Sequence, residues 1–189
     1  RDGSSISIKK ENIKIIPGLI NIIEEIIVNA FDNRNRINQL NKTIKQQNKG
    51  QKKGDKQSFK KIVKTIKINI TDKGEISVYN DGEGIDVAIH PKEKIYVPQM
   101  IFGKLLTSGN YNDKEEKITG GKNGYGAKLT NIYSEYFIVE TIDCERKLKY
   151  IQKFSKNLSV IDKPSIEKYT KEPYTKITFL PDYKRFKID

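Results

Sequence analysis

Asn21, Glu25, Asn29 and Asp32 follow one another at intervals of four, four and three residues, which sets them on one stripe of any helix that contains them. A carboxylate at Glu25 could take a proton from an attacking water. The Asn29 side-chain oxygen could ligate a magnesium ion whose other positions are filled by phosphates and waters. Turned outward, the same stripe would meet only solvent. A second candidate is the run Gly120 to Lys128, Gly-Gly-Lys-Asn-Gly-Tyr-Gly-Ala-Lys, whose glycines let the backbone approach an anion ahead of a helix start. It is not a Walker A loop, because Ala127 stands where that motif needs lysine, and no strand precedes it as a dinucleotide fingerprint requires. It reads as a polyphosphate cradle of another fold, or as a glycine-rich surface loop. The third is Asn80-Asp81-Gly82-Glu83-Gly84-Ile85, where Asp81, aimed into a cavity floored by Ile85, could accept a hydrogen bond from an exocyclic amine such as adenine N6. As a local signal, Asn-Asp-Gly is also an ordinary turn.

These side chains need a helix, a strand end and a loop to hold them. Pro17 suits a first helical turn, and Gly18 to Asn33 reads as a core helix carrying Ile20, Ile23, Ile26, Ile27, Ala30 and Phe31. Glu24, Arg34 and Arg36 read as surface charges. Residues 1 to 16 alternate weakly and read as edge strands. Ile66 to Ile70 and Glu75 to Tyr79 alternate around Thr71-Asp72-Lys73-Gly74, a hairpin. Pro98 to Leu106 has helical apolar spacing, residues 107 to 126 read as a lid, and Ala127 to Tyr133 as a second core helix. Tyr136 to Ile142, Leu148 to Phe154 and Thr175 to Leu180 read as strands. The expected architecture is an α/β two-layer sandwich, a mixed, mostly antiparallel sheet with the Glu25 and Lys128 helices on one face.

The length fits a single domain, and the net charge of +12 raises the prior for a phosphate-rich partner. Nine lysines and one acid between Asn41 and Lys64 contribute +8, leaving 12 − 8 = +4 for the rest. That Lys/Gln/Asn-rich stretch reads as a disordered insertion, either a solvated loop or a tether that contacts nucleic-acid backbone. One cysteine, Cys144, precludes an internal disulfide, and one histidine, His90, leaves no Cys/His metal cluster. An intracellular protein is expected, with no membrane partner, since no apolar run reaches spanning length.

The Glu25 to Asn33 block, the glycine segment from Asp81 to Ile85 and the Gly120 to Lys128 loop occur in the order and separation of the Bergerat-fold ATPases, the superfamily of gyrase, Hsp90, MutL and histidine kinases. The stretch from Ile95 to Ser134, with Tyr-Val-Pro-Gln-Met-Ile-Phe-Gly-Lys-Leu-Leu-Thr-Ser-Gly-Asn-Tyr and Thr-Gly-Gly-Lys-Asn-Gly-Tyr-Gly-Ala-Lys-Leu-Thr-Asn-Ile-Tyr-Ser, resembles the ATPase domain of eukaryotic DNA topoisomerase II more closely. The resemblance implies Glu25 as general base, Asn29 as Mg2+ ligand and Asp81 as adenine reader supported by Thr175. It implies a nucleotide site completed by Asn33, Ile85, Thr107, Ser108, Gly109, Asn110, Gly121, Lys122, Asn123, Gly124, Tyr125, Gly126, Ala127 and Lys128.

It further implies ATP as substrate, Mg2+ as cofactor, DNA as the full-length enzyme's partner, homodimerisation on nucleotide binding and a nuclear location. The family's transducer, cleavage and DNA-gate domains lie outside these 189 residues, so the expectation for the isolated chain is ATP binding with weak hydrolysis and weak dimerisation. Two other readings stand beside this one: another Bergerat ATPase of the Hsp90 or MutL kind, and a basic non-enzymatic nucleic-acid-binding module.

Overall fold

The computed structural model describes residue 10 and residues 15–52, 54–104 and 125–188. The expected edge strands before residue 16 and most of the expected lid lie outside these. The described elements run α1 (Pro17–Gln47), β1 (Ile66–Ile70), β2 (Ile76–Asn80), α2 (Val97–Gly103), α3 (Gly126–Ile132), β3 (Ser134–Asp143), β4 (Leu148–Ser155), β5 (Val160–Ile161), β6 (Ser165–Lys168) and β7 (Thr175–Pro181), closed by a 3-10 turn at Tyr183–Phe186. Seven strands form one sheet in the order β1-β2-β7-β3-β4-β5, with β6 also on β4, and every pairing among them is antiparallel.

Alternation builds the two layers. Ile76 and Val78 of β2, Phe137 and Val139 of β3, Tyr150 and Phe154 of β4, and Ile177 and Phe179 of β7 are buried in one core with Ile26 and Ala30 of α1, Phe102 of α2 and Ala127 of α3. The Phe137 ring lies 5.7 Å from that of Phe102, 6.3 Å from Phe154 and 6.1 Å from Phe179, joining sheet to helices. Adjacent residues of α3 fix it to both neighbours: Thr130 Oγ1 donates to the Ile22 carbonyl at 2.8 Å, and Asn131 Nδ2 to the Phe102 carbonyl at 3.0 Å.

The expected end of α1 at Asn33 is corrected by a helix fourteen residues longer (47 − 33). Ile37 and Ile44 continue the buried face of Ile26 and Ala30 at helical spacing, so the apolar stripe outlasts the stretch that the composition marked as polar. For the described residues of the stretch, 41–52 and 54–64, the expectation of disorder falls with it. Asn41 and Asn48, two turns apart, each bracket one residue of the returning chain. Asn41 accepts from the Lys60 amide and donates to its carbonyl, both at 2.8 Å, and Asn48 does the same with Gln57 at 2.9 Å. Val63, 1% exposed, then inserts into the interior. A lysine count registers charge; it does not register amide ladders or two buried isoleucines.

Candidate active site

A cavity of about 370 Å3 lies between α1 and the sheet, within the range of small-ligand sites. Its walls are apolar, with Ile26 and Ala30 from α1, Ile101 and Phe102 from α2, and Val78, Ile85 and Ile177. Its polar groups are Asn29, Asn33 and Arg36 along α1, Asn80 at the end of β2, Thr175 at the start of β7, and Asp86. Asn80 and Thr175 face each other across β2 and β7, Thr175 faces Thr141 across β7 and β3, and the two threonine hydroxyls are 3.0 Å apart. Asn80, Thr175 and Thr141 are all buried, so three adjacent strands carry a polar row on an otherwise apolar floor.

The loop after β2 is held against β3. Gly84, at φ +82°, lies so close that a Cβ would come within 1.8 Å of the Ile142 carbonyl oxygen, which excludes any side chain there. The Ile85 amide donates to Thr141 Oγ1 at 2.9 Å, and the Val87 amide to Asp143 Oδ2 at 2.8 Å. Asp143, 2% exposed, also accepts from the Glu145 and Arg146 amides and the Arg146 guanidinium. Burial pushes its carboxyl up, but these bonds outweigh burial and leave it below the ordinary carboxylate value.

Of the expected site residues, Asn29, Asn33, Ile85 and Thr175 line this cavity together. Asp81 does not, and the expectation that it faces the ligand is corrected. On β2 the inward residues are Ile76, Val78 and Asn80, so the period of two sends the next side chain the other way. Asp81 Oδ1 accepts from the amides of Lys64 at 2.8 Å and Thr65 at 2.9 Å. Burial raises its pKa, and these amide bonds more than offset that, for a net lowering. Arg36 is exposed, as the sequence reading had it, and borders the cavity, with its Nη2 donating to Asn33 Oδ1 at 3.1 Å. The sequence reading missed Asn80; the signal that could have found it is the alternation of Ile76 and Val78 along β2, which places Asn80 on the same inward face.

Glu25, one turn before Asn29 on α1, is not among the residues lining the cavity; its carboxylate lies against Gly126 at the start of α3, where a Cβ would stand 1.7 Å from Glu25 Oε2. Tyr125 is exposed just before the helix, while the Ala127 methyl belongs to the core, so toward a ligand Ala127 can offer only backbone. Lys128 is 6% exposed, and burial lowers its ammonium pKa. Thr107, Ser108, Gly109, Asn110, Gly121, Lys122, Asn123 and Gly124 lie outside the described residues. Among the described residues no group of three or more His, Cys, Asp or Glu side chains could hold a metal ion. The Asn29 side chain contributes a single neutral oxygen, which fits Mg2+ only where phosphate and water complete the shell.

No family model matches the chain. It is 46% identical over 179 residues to DNA topoisomerase 2 of Saccharomyces cerevisiae, covering 94% of this chain and 11% of that protein. Against DNA topoisomerase 2 of Acanthamoeba polyphaga mimivirus it is 45% identical over 177 residues, covering 93% and 12%. The crystal structure of the ATPase region of Saccharomyces cerevisiae topoisomerase II superposes with a TM-score of 0.77 at 46% identity, over 95% of this chain and 42% of that one. The 43K ATPase domain of Thermus thermophilus gyrase B, at TM-score 0.59 and 21% identity, shares the fold. The chain thus spans about a tenth of the relatives it matches. This extent of identity, together with the superposition of the fold, makes the chain a homologue of the ATPase region of DNA topoisomerase 2.

Proposed function

We propose that the cavity binds the adenine of ATP and that the chain serves a type II DNA topoisomerase as its Mg-ATP-hydrolysing domain, nucleotide binding driving subunit dimerisation and DNA strand passage in the full-length enzyme. The observation that carries this reading is the buried polar row of Asn80, Thr175 and Thr141 on an apolar floor. The Asn80 amide can accept from adenine N6 and donate to a ring nitrogen at once, which a carboxylate, an acceptor only, cannot do. Apolar walls from Ile26, Ile85 and Ile177 take up the faces of the base.

From that anchor the phosphates would run along the Asn29 side of α1 toward the start of α3. Bound at Asn29, Mg2+ would neutralise charge on the phosphate oxygens. Glu25 would orient a water and accept its proton as the water oxygen bonds to the terminal phosphorus and the bond from that phosphorus to the bridging oxygen of ADP breaks. The Glu25 position beside Gly126 supports this role, because it sets the carboxylate at the helix start toward which the phosphates would run. The same reading makes the full-length protein a nuclear homodimer.

Calorimetric titration with a non-hydrolysable ATP analogue, with and without Mg2+, tests the site. Wild type is expected to bind, more tightly with Mg2+, and Asn80→Ala to lose at least about tenfold in affinity, a little over 1 kcal/mol. Equal binding by wild type and Asn80→Ala would refute the adenine assignment.

A further inference from the structure

A second cleft, of about 870 Å3, opens between the last turns of α1 and the returning segment, away from the cavity just described. Lys42 and Lys45 line it from α1, on the same stripe as Asn38, and Lys64 faces them from the returning chain. Five lysines and two acids line this cleft, a balance of 5 − 2 = +3. The distribution is more telling than the sum. Glu172 is paired with Lys61, while Asp81 accepts from the amides of Lys64 and Thr65 and keeps its negative charge at the cleft. Lys60 is paired with Glu145 and lies 3.7 Å from Glu83. Lys42, Lys45 and Lys64 have no ion-pair partner among the described residues. The backbone beneath them is fixed by the Asn41 and Asn48 ladders and by buried Val63, so these three cations are a set on a frame.

We propose that this cleft binds the phosphate backbone of duplex DNA. The three lysines around this concavity outnumber the single unpaired carboxylate of Asp81, so like-charge repulsion remains, and a polyanion relieves it while releasing its own counterions. Phe59, 59% exposed, and Ile62, 39% exposed, form an apolar lip suited to sugar carbons. A single exposed aromatic is not the succession of rings on which single strands stack, which favours duplex. The proposal rests on the topoisomerase reading only for the identity of the polyanion.

The test uses the 189-residue chain and a labelled duplex of about 20 base pairs, followed by fluorescence anisotropy between about 50 and 200 mM salt. The triple variant Lys42→Glu, Lys45→Glu, Lys64→Glu is compared with Lys73→Glu, Lys163→Glu, Lys184→Glu, which has the same net charge of 12 − 6 = +6 and lies outside the cleft. The cleft variant is expected to lose at least about tenfold in affinity at low salt and to show a slope of log affinity against log salt shallower by about 2 to 3, one unit per lost phosphate contact. The other triple should stay within about one unit of wild type. No duplex binding by wild type, equal losses in both triples, or a polyglutamate peptide whose binding depends on the cleft while duplex binding does not, would each overturn the proposal. Binding of the ATP analogue, measured in parallel, checks folding of the variants, and its failure in wild type would count against the nucleotide site alone.

Discussion

The carboxylate of Glu25 rests on the Cα of Gly126, so that any side chain at position 126 would meet Glu25 Oε2 at 1.7 Å and Cδ at 2.1 Å. A residue of α1 and the first residue of α3 are thereby set in register, and the glycine is fixed by the acid beside it rather than by its own backbone angles.

Gly126→Ala must therefore push the Glu25 carboxylate aside. On the proposed role of Glu25 as general base, displacing it by about 1 Å is enough to cost about 100-fold in turnover. The expected outcome in full-length enzyme is a fall in kcat for ATP of that order, approaching the loss in Glu25→Gln, with analogue affinity changed by less than about tenfold. Steady-state ATPase assays paired with calorimetry check this; full turnover in Gly126→Ala would remove Glu25 from the reaction.

Asn80 and Asp81 are neighbours with opposite duties, and substitution should separate them. Asn80→Asp is expected to weaken ATP-analogue binding and to narrow its preference over the GTP analogue, because the donor half of the amide is lost. Asp81→Asn should leave that preference intact and instead lower stability by about 1–2 kcal/mol through weaker bonds to the Lys64 and Thr65 amides. Competition binding and thermal melts distinguish the two. A base-preference change confined to Asp81→Asn would restore Asp81 as the reader.

The two asparagine ladders predict a graded result. Asn41 is partly buried at its bonds to Lys60, whereas Asn48 is exposed at its bonds to Gln57. Asn41→Ala should cost about 1–2 kcal/mol, a melting shift of several degrees, and Asn48→Ala about 0.5 kcal/mol or less, since water replaces exposed bonds. Amide hydrogen exchange at Lys60 should quicken in Asn41→Ala. Unchanged exchange there would mean the returning segment is held by Val63 and its ion pairs instead.

Asp143 sets an acid limit on the loop after β2. Its folded pKa is lower than its ordinary value of 3.8, so its stabilisation is fully present above pH 4 and disappears as pH falls through the folded value. Asp143→Asn is expected to be less stable than wild type by about 2–3 kcal/mol at pH 7, a difference that shrinks below pH 4. Melts across pH 2.5 to 7, a span of about five units, read this directly. A gap that stays constant down to the lowest pH would mean the carboxylate charge contributes nothing.

By itself the sequence determined the elements whose patterns are local. The Glu25 to Asn33 stripe, the β1–β2 hairpin, the α3 start and the strands around Phe137, Tyr150 and Ile177 all follow from periodicity, proline and glycine placement, and each was found close to where the pattern put it. Of the four expected residues that line the cavity, Asn29 was legible from the helix period and Ile85 from its glycine-flanked turn, whereas Asn33 and Thr175 were named only through the resemblance. The short strands β5 and β6 were not, since two and four residues give no period to read.

Only the tertiary structure decided the rest, and for one physical reason: contacts between distant segments outweigh local composition. The polar row of Asn80, Thr175 and Thr141 exists because three strands far apart in sequence share a register. Arg36 became a cavity residue when the sheet packed under α1. The lysine-rich stretch became ordered because two asparagines seven residues apart met the backbone of Gln57 and Lys60, with Ile37, Ile44 and Val63 buried nearby. Charge and hydropathy along the chain report what each residue prefers in water, while the fold settles which preferences are met by partners that only folding brings within reach.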